Sequence, residues 1–318
     1  INSIHITACG TAYHAGLLGG HFIEKLARIP VNVCVASEFR YNDPVTDKND
    51  LVIIISQSGE TADSLSALRL MKSRSIRTLS VVNTQGSSME NESDCIIRTR
   101  AGAEISVAST KAFHVQVLVL LMIAIKLALI NGRITEADAK EIMKGVQNDF
   151  TCNIPRVLQK NNSILPVADR LSSHRNVFFI GRGRDSILAT EASLKLKEIS
   201  YINSQAYPAG ELKHGTISLI EKGTPVIAVV TDSFFYDKMK SNIREVKARG
   251  ACVISICHGN AKEITEISDE VILLPEEASS LMPFSASTVI QLLAYHTANA
   301  LGRDIDKPRN LAKSVTVE

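Results

Sequence analysis

Three hydroxyls and a glycine follow a run of apolar residues in the stretch LVIIISQSGET, residues 51–61: Ser56, Ser58, Thr61 and Gly59. An ordinary buried strand ends in a simple turn, whereas this one runs into an amphipathic segment, ADSLSALRLMK, at residues 62–72. The N-terminus of a helix presents unsatisfied backbone N–H groups and the positive end of its dipole. A glycine able to turn left-handed lets successive N–H groups converge there. Such a loop suits a phosphate, with Ser56, Ser58 and Thr61 as further donors; simple capping of the helix by Ser58 or Thr61 explains the same residues equally well at this point. Two more small polar loops bear on the choice. ACGTAYHAG, residues 8–16, offers Gly10 and Thr11 after another apolar run, and EISVASTKAFH, residues 104–114, offers Val107, Ser109 and Thr110 ahead of an apolar helix. Three such loops opening three helices of one unit suit a single sugar phosphate.

A different chemistry is written further on, in TEASLKLKEISYINSQAYPAGELKHG at residues 190–215. Leu188, Ala192, Leu196 and Ile199 make an apolar helical stripe, and Glu191, Lys195 and Glu198 fall at i, i+4 and i+7 on another face. That is an organised acid-base row. Spacing alone favours solvent-exposed ion pairs worth a few tenths of a kcal/mol. Glu211, Lys213 and His214 follow in a Pro/Gly-rich loop, where a lone histidine is ordinarily a surface residue. No GxxxxGK[ST] motif points to a nucleoside triphosphate. GRGRDS at residues 181–186 imitates a dinucleotide fingerprint, but Ser186 stands at the third glycine and no acidic residue closes a second strand about 20 residues later.

Elements must hold these groups, and the chain is long enough to build them. Its 318 residues, 45% hydrophobic and 21% charged, describe a globular protein of about two domains. A net charge of +2 from 35 basic and 33 acidic residues, with 5% aromatics and no Trp, gives no sequence-independent pull toward nucleic acid. Six scattered cysteines without a CxxC pair, and no signal peptide, argue against zinc or a disulfide framework and for a reducing cytoplasm. The most apolar segment, residues 115–130, contains Lys126 and falls short of the roughly 20 residues a bilayer needs, so it reads as a buried helix.

Short β-rich runs alternate with helical stretches throughout. SIHITAC, VNVCVAS, LVIIIS, TLSVVN and DCIIRT are followed by a second series, NVFFIGRG, TPVIAVVTDS, ACVISIC and DEVILLP. The alternation predicts doubly wound parallel sheets. Ile55 falls on Val230, Val81 on Ser255 and Ile97 on Ile272, a nearly constant offset of about 174 residues that marks a duplicated α/β unit. The expected organisation is a first domain at 1–135, a helical connection at 136–167, a second domain at 168–307 and a tail at 308–318.

SQSGETADSL, VASTKAF, SLKLKEISYI, AGELKHG and the tail PRNLAKSVTVE, in that order, resemble the isomerase part of the glucosamine-6-phosphate synthase family, the glutamine:fructose-6-phosphate amidotransferases. Each motif is weak alone, the five together are specific, and the likeness covers nearly the whole chain. The resemblance implies two flavodoxin-like sugar isomerase (SIS) domains, no cofactor and no metal, a homodimer or larger assembly, and conversion of fructose 6-phosphate to glucosamine 6-phosphate. It further implies that Ser56, Gln57, Ser58 and Thr61 hold the sugar phosphate, with Gly10, Thr11, Val107 and Ser109 as other substrate contacts. Glu198 then matches the base moving a proton between C1 and C2, with Lys195 assisting. His214 would open the sugar ring, reaching into the neighbouring subunit's site, and Lys313 would form a Schiff base with the open-chain ketose. Ala12, Gln205 and Thr216 depart from residues frequent in the family and affect fine substrate contacts. Two alternatives remain: a related sugar-phosphate deglycase or deaminase, against which the LAKSVTVE tail argues, and a non-catalytic sugar-phosphate sensor, which would not need Glu198, His214 and Lys313. Since the family takes ammonia from glutamine through a separate N-terminal domain, the expectation is that this chain is the isomerase half of a longer protein, without a membrane or nucleic-acid partner.

Overall fold

The computed structural model describes residues 1–275 and 283–316. It divides into two compact units, Ile1–Ala139 with Asn310–Glu318, and Lys140–Arg309.

In the first unit, β1 (Ile4–Ala8), β2 (Val31–Val35), β3 (Leu51–Ser56), β4 (Arg77–Val82) and β5 (Cys95–Arg98) form one parallel sheet in the order β2-β1-β3-β4-β5. Parallel strands covered on both faces need continuous apolar runs, and Val52, Ile53, Ile54 and Ile55 of β3 are all fully buried. The helices α1 (Gly10–Ala27), α2 (Ala36–Phe39), α3 (Ala62–Ser73), α4 (Ser88–Glu92) and α5 (Lys111–Ile130) complete the unit. Glycines bring α1 close to its neighbours. A Cβ at Gly19 would stand 2.7 Å from Leu120 of α5, and one at Gly16 would stand 2.9 Å from Ile6 of β1.

Helix α5 begins four residues before the apolar run read from the sequence, and its 20 residues meet the length and apolarity needed to cross a membrane. Length therefore does not set it apart from a spanning helix, contrary to expectation. Its packing on α1, with Phe113, Val117, Leu120, Leu121 and Ala124 buried, accounts for its composition.

The second unit starts within α6 (Glu136–Asn148) and continues through α7 (Ile154–Gln159) and α8 (Leu165–Ser172). After these come β6 (Asn176–Gly181), α9 (Arg184–Ser200), β7 (Asn203–Pro208), β8 (Pro225–Val230), α10 (Tyr236–Lys247), β9 (Cys252–His258), α11 (Lys262–Ile267), β10 (Glu270–Leu274) and α12 (Phe284–Ala300). The strands are again parallel, in the order β7-β6-β8-β9-β10. That is the first sheet's order repeated. Strand β7, NSQAYP, was not among the β-rich runs read from the sequence; it pairs along one side only, with β6, so it needs no apolar alternation.

The duplication extends to single hydrogen bonds. Asp94 pairs with Lys72 and accepts from the Thr78 N–H, just as Asp269 pairs with Lys247 and accepts from the Val253 N–H. Ser80 bonds Ser93 in one unit and Ser255 bonds Ser268 in the other. Each member of one set is spaced from its counterpart by the interval that relates the strands.

Candidate active site

Strand β1 lies between β2 and β3, so chain order reverses there. Helices leaving two such strands depart to opposite faces of the sheet, and the crevice they leave beyond the carboxyl ends is where open α/β sheets bind ligands. Gly10 and Thr11, the first residues of α1, follow β1; the SQSGET loop follows β3. The loop holds its own shape. Ser56 Oγ accepts from the Gly59 N–H at 3.0 Å and lies 3.0 Å from Thr61 Oγ1, while Ser58 Oγ accepts from the Glu60 N–H at 3.1 Å. Gly59 takes a φ of +69°, and a Cβ there would fall 2.2 Å from Ser87 Oγ, so glycine is required twice over. Thr61 occupies the N-cap of α3, yet its side chain makes no capping bond and its hydroxyl turns to Ser56 instead. Capping by Thr61 therefore does not account for the motif. Gln57, Thr84, Arg100, Glu104 and Lys313 line a cleft of about 600 Å³ in the same unit, of the size small-ligand sites have.

Val107 and Ser109 sit in the segment between β5 and α5, whose organiser is Glu104. Glu104 Oε1 accepts from the Thr110 N–H at 2.8 Å and the Ala112 N–H at 3.3 Å, and Oε2 accepts from Ser109 Oγ at 3.0 Å and pairs with Lys313 Nζ at 2.9 Å. Only 4% of its side chain is exposed. Burial pushes this carboxyl up, but the Thr110 N–H, the Lys313 ammonium and the Ala112 N–H outweigh burial and leave its pKa below the ordinary value. Lys313 Nζ also donates to the Ser106 carbonyl at 2.6 Å. Ser314 and Val315 continue across the SQSGET loop. Ser314 Oγ donates to Ser58 Oγ at 3.1 Å, and the Val315 carbonyl accepts from the Ala62 N–H at 3.3 Å. Sequence reasoning passed over Glu104, because a carboxylate in the small-residue stretch AGAEIS reads as solvent-exposed; its partners are set by the fold.

In the second unit, the acid-base row on α9 is not a surface feature, contrary to what spacing alone favoured. Lys195 has 2% of its side chain exposed, Glu191 has 1% and Glu198 has 21%. The stripe Leu188, Ala192, Leu196 and Ile199 is buried as read, which draws the neighbouring face inward with it. Lys195 Nζ donates to Glu198 Oε2 at 2.5 Å and lies 3.6 Å from Glu191 Oε1. Burial works against its ammonium, but the two carboxylates outweigh that penalty and raise its pKa above the ordinary lysine value. Lys195 is thus a fixed cation, and Glu198 is the partner that keeps an exposed edge. His214 stands exposed in the turn between β7 and β8, its N–H bonded to the Glu211 carbonyl at 2.9 Å. Tyr207 donates to the Gln205 side chain, and Thr216 opens a single 3-10 turn.

The second sheet has its own reversal point, between β6 and β8. There Asp185 of α9, which is 1% exposed, accepts from the Thr231 N–H at 2.6 Å, the Thr231 hydroxyl at 2.5 Å and the Asp232 N–H at 3.1 Å. Arg184 Nη2 donates to the same hydroxyl at 2.9 Å. The donors that would greet an anion at this position are taken by the chain's own carboxylate. This is the structural role of the GRGRDS stretch.

Two doubly wound sheets of identical strand order, the first with a polar cleft beyond β3, β4 and β5 and the second with the donors at its reversal point taken by Asp185, make a tandem sugar-isomerase-type architecture. The SIS domain family model matches residues 1–126 and 170–300, and the chain belongs to that family. It is 48% identical over its whole length to the isomerizing glutamine-fructose-6-phosphate aminotransferase of Clostridium acetobutylicum and 47% identical to that of Caldanaerobacter subterraneus, covering 52% of each. The chain therefore spans about half the length of the curated relatives it matches, and it corresponds to their isomerase part. Among solved structures, the C-terminal domain of glucosamine-fructose-6-phosphate aminotransferase from Francisella tularensis superposes with a TM-score of 0.91 at 38% identity, over 96% of this chain and 87% of that one.

Proposed function

We propose that this chain binds fructose 6-phosphate and carries out the ketose-aldose isomerisation that yields glucosamine 6-phosphate when ammonia is supplied. The observation that carries the reading is the buried Lys195 between Glu191 and Glu198 on α9, a costly arrangement for a protein that only senses a sugar. The SQSGET loop grips the phosphate with Ser56, Ser58 and Thr61, while Gln57, Gly10, Thr11, Val107 and Ser109 shape the rest of the sugar site. Remote grip on the phosphate converts distant binding energy into alignment of C1 and C2. His214 opens the ring; its exposed position is compatible with service to a neighbouring subunit in a homodimer. Lys313 adds through its neutral amine to the C2 carbonyl, releasing water and forming an imine, and ammonia then adds to that C2 carbon and displaces the Lys313 amine, leaving the nitrogen on the sugar. Glu198 takes the proton from C1 and returns it to C2, and the fixed Lys195 ammonium steadies the carboxylate and the negative charge that develops next to it. Ammonia reaches the site from a glutaminase domain of the longer protein.

Fructose 6-phosphate in deuterated water tests the reading. The purified chain should exchange the C1 hydrogen and slowly form glucose 6-phosphate, since the same enediol chemistry runs without nitrogen. Borohydride added with the sugar should trap an adduct at Lys313, and Lys313→Arg should form none because a guanidinium does not give up its proton. Binding of the sugar without any exchange would favour a sensor; an adduct at Lys111 or Lys195 would move the imine.

A further inference from the structure

We infer that Glu104 is a positioning residue that delivers Lys313 to the sugar site and ties that delivery to the Ser109 loop. The inference rests on the proposed imine role of Lys313 and adds the group that acts through it. One buried carboxylate divides its two oxygens between two tasks. Oε1 is committed to the start of α5 through the Thr110 and Ala112 N–H groups. Oε2 is shared by the Ser109 hydroxyl and the Lys313 ammonium. The tail's amine is therefore held by the same oxygen that orients a hydroxyl of the candidate sugar site.

Other charges nearby do not duplicate this service. Lys111 Nζ turns to the Ala103 carbonyl at 2.6 Å, and Arg100 lines the same cleft as a second cation, which cannot hold an ammonium. The Ser106 carbonyl also accepts from Lys313, a neutral partner that aims the amine without balancing its charge. A lysine on this tail has many rotamers to lose, so the charge-assisted bond to Glu104 fixes where it waits. When a sugar carbonyl arrives, Lys313 must release one proton and turn from Oε2, while Oε1 stays fixed to α5. The loop carrying Val107 and Ser109 keeps its shape during that exchange.

Glu104→Gln separates the two tasks, because an amide oxygen still accepts from Thr110 and Ala112 but no longer pairs with an ammonium. Fructose 6-phosphate with borohydride should give adduct at Lys313 about tenfold more slowly in Glu104→Gln than in the unaltered chain. In a Lys313→Ala background, adding Glu104→Gln should weaken sugar binding only through the Ser109 contact, so the loss should be smaller than in the chain that keeps Lys313. Equal trapping rates, or an equal loss of affinity with and without Lys313, would overturn the inference in favour of a purely structural carboxylate. Should the unaltered chain trap no sugar, the imine reading fails, and labelling of Lys313 by an amine-reactive ester without sugar still decides this one. Release of the amine in Glu104→Gln should speed labelling about tenfold; an unchanged rate rejects the tether.

Discussion

Glu198 and Lys195 share one turn of α9, and the difference between them lies in access: the lysine is enclosed, while the carboxylate keeps 21% of its side chain exposed. Glu198→Gln keeps size and hydrogen bonding but removes the proposed base. Fructose 6-phosphate should still bind, and exchange of its C1 hydrogen should fall by on the order of 10² to 10⁴. Wild-type exchange in that variant would pass the role to Glu191. Glu104 carries a pH signature of its own. Its folded pKa lies below the ordinary value of 4.5, so its contribution to stability is complete above that value and is lost as pH falls through the depressed folded value. Urea melts of the unaltered chain and Glu104→Gln should therefore differ most near neutral pH and converge as the pH falls well below the ordinary carboxylate range; a constant gap across that range would mean that ionisation of Glu104 contributes nothing.

The SQSGET loop joins β3 to α3 and depends on the backbone more than on any hydroxyl. Gly59→Ala would force a Cβ into Ser87 at a φ that L side chains rarely adopt. The expected cost is about 1–3 kcal/mol of stability, with sugar-phosphate affinity lost at the same time. Unaltered affinity in a folded variant would show that the turn at Gly59 does not shape the site. Most of this element layer was legible in the sequence: runs such as LVIIIS and PVIAVV declare strands buried on both faces, and the polar residues after them declare the loops. Three things were not. β7 lacks an apolar pattern because it pairs on one side only. The burial of Lys195 escaped because i, i+4 spacing is the same on a wet face and a dry one. Glu104 escaped because the tail that meets it lies more than two hundred residues further along the chain. Periodicity reports local faces; pairing of distant charges is decided by topology.

At the scale of the molecule, two copies of one fold have kept the same sheet order and the same Lys-Asp clasp, but the first carries a polar cleft beyond β3, β4 and β5 while the second has the donors at its reversal point taken by Asp185. Calorimetric titration should accordingly find one fructose 6-phosphate per chain; two equal sites would contradict the account. Asp185→Ala should not create a second site. It should destabilise the protein by about 3–5 kcal/mol, because Arg184 is left buried without its counter-charge and the Thr231 and Asp232 N–H groups lose their acceptor. A stable variant that binds a second equivalent would show instead that Asp185 merely excludes ligand. The filled position works as a built-in counter-ion. With a carboxylate of the chain standing where a diffusible anion would sit, the second copy's reversal point is held in its occupied state, and vacating it leaves Arg184 and two N–H groups facing an empty place.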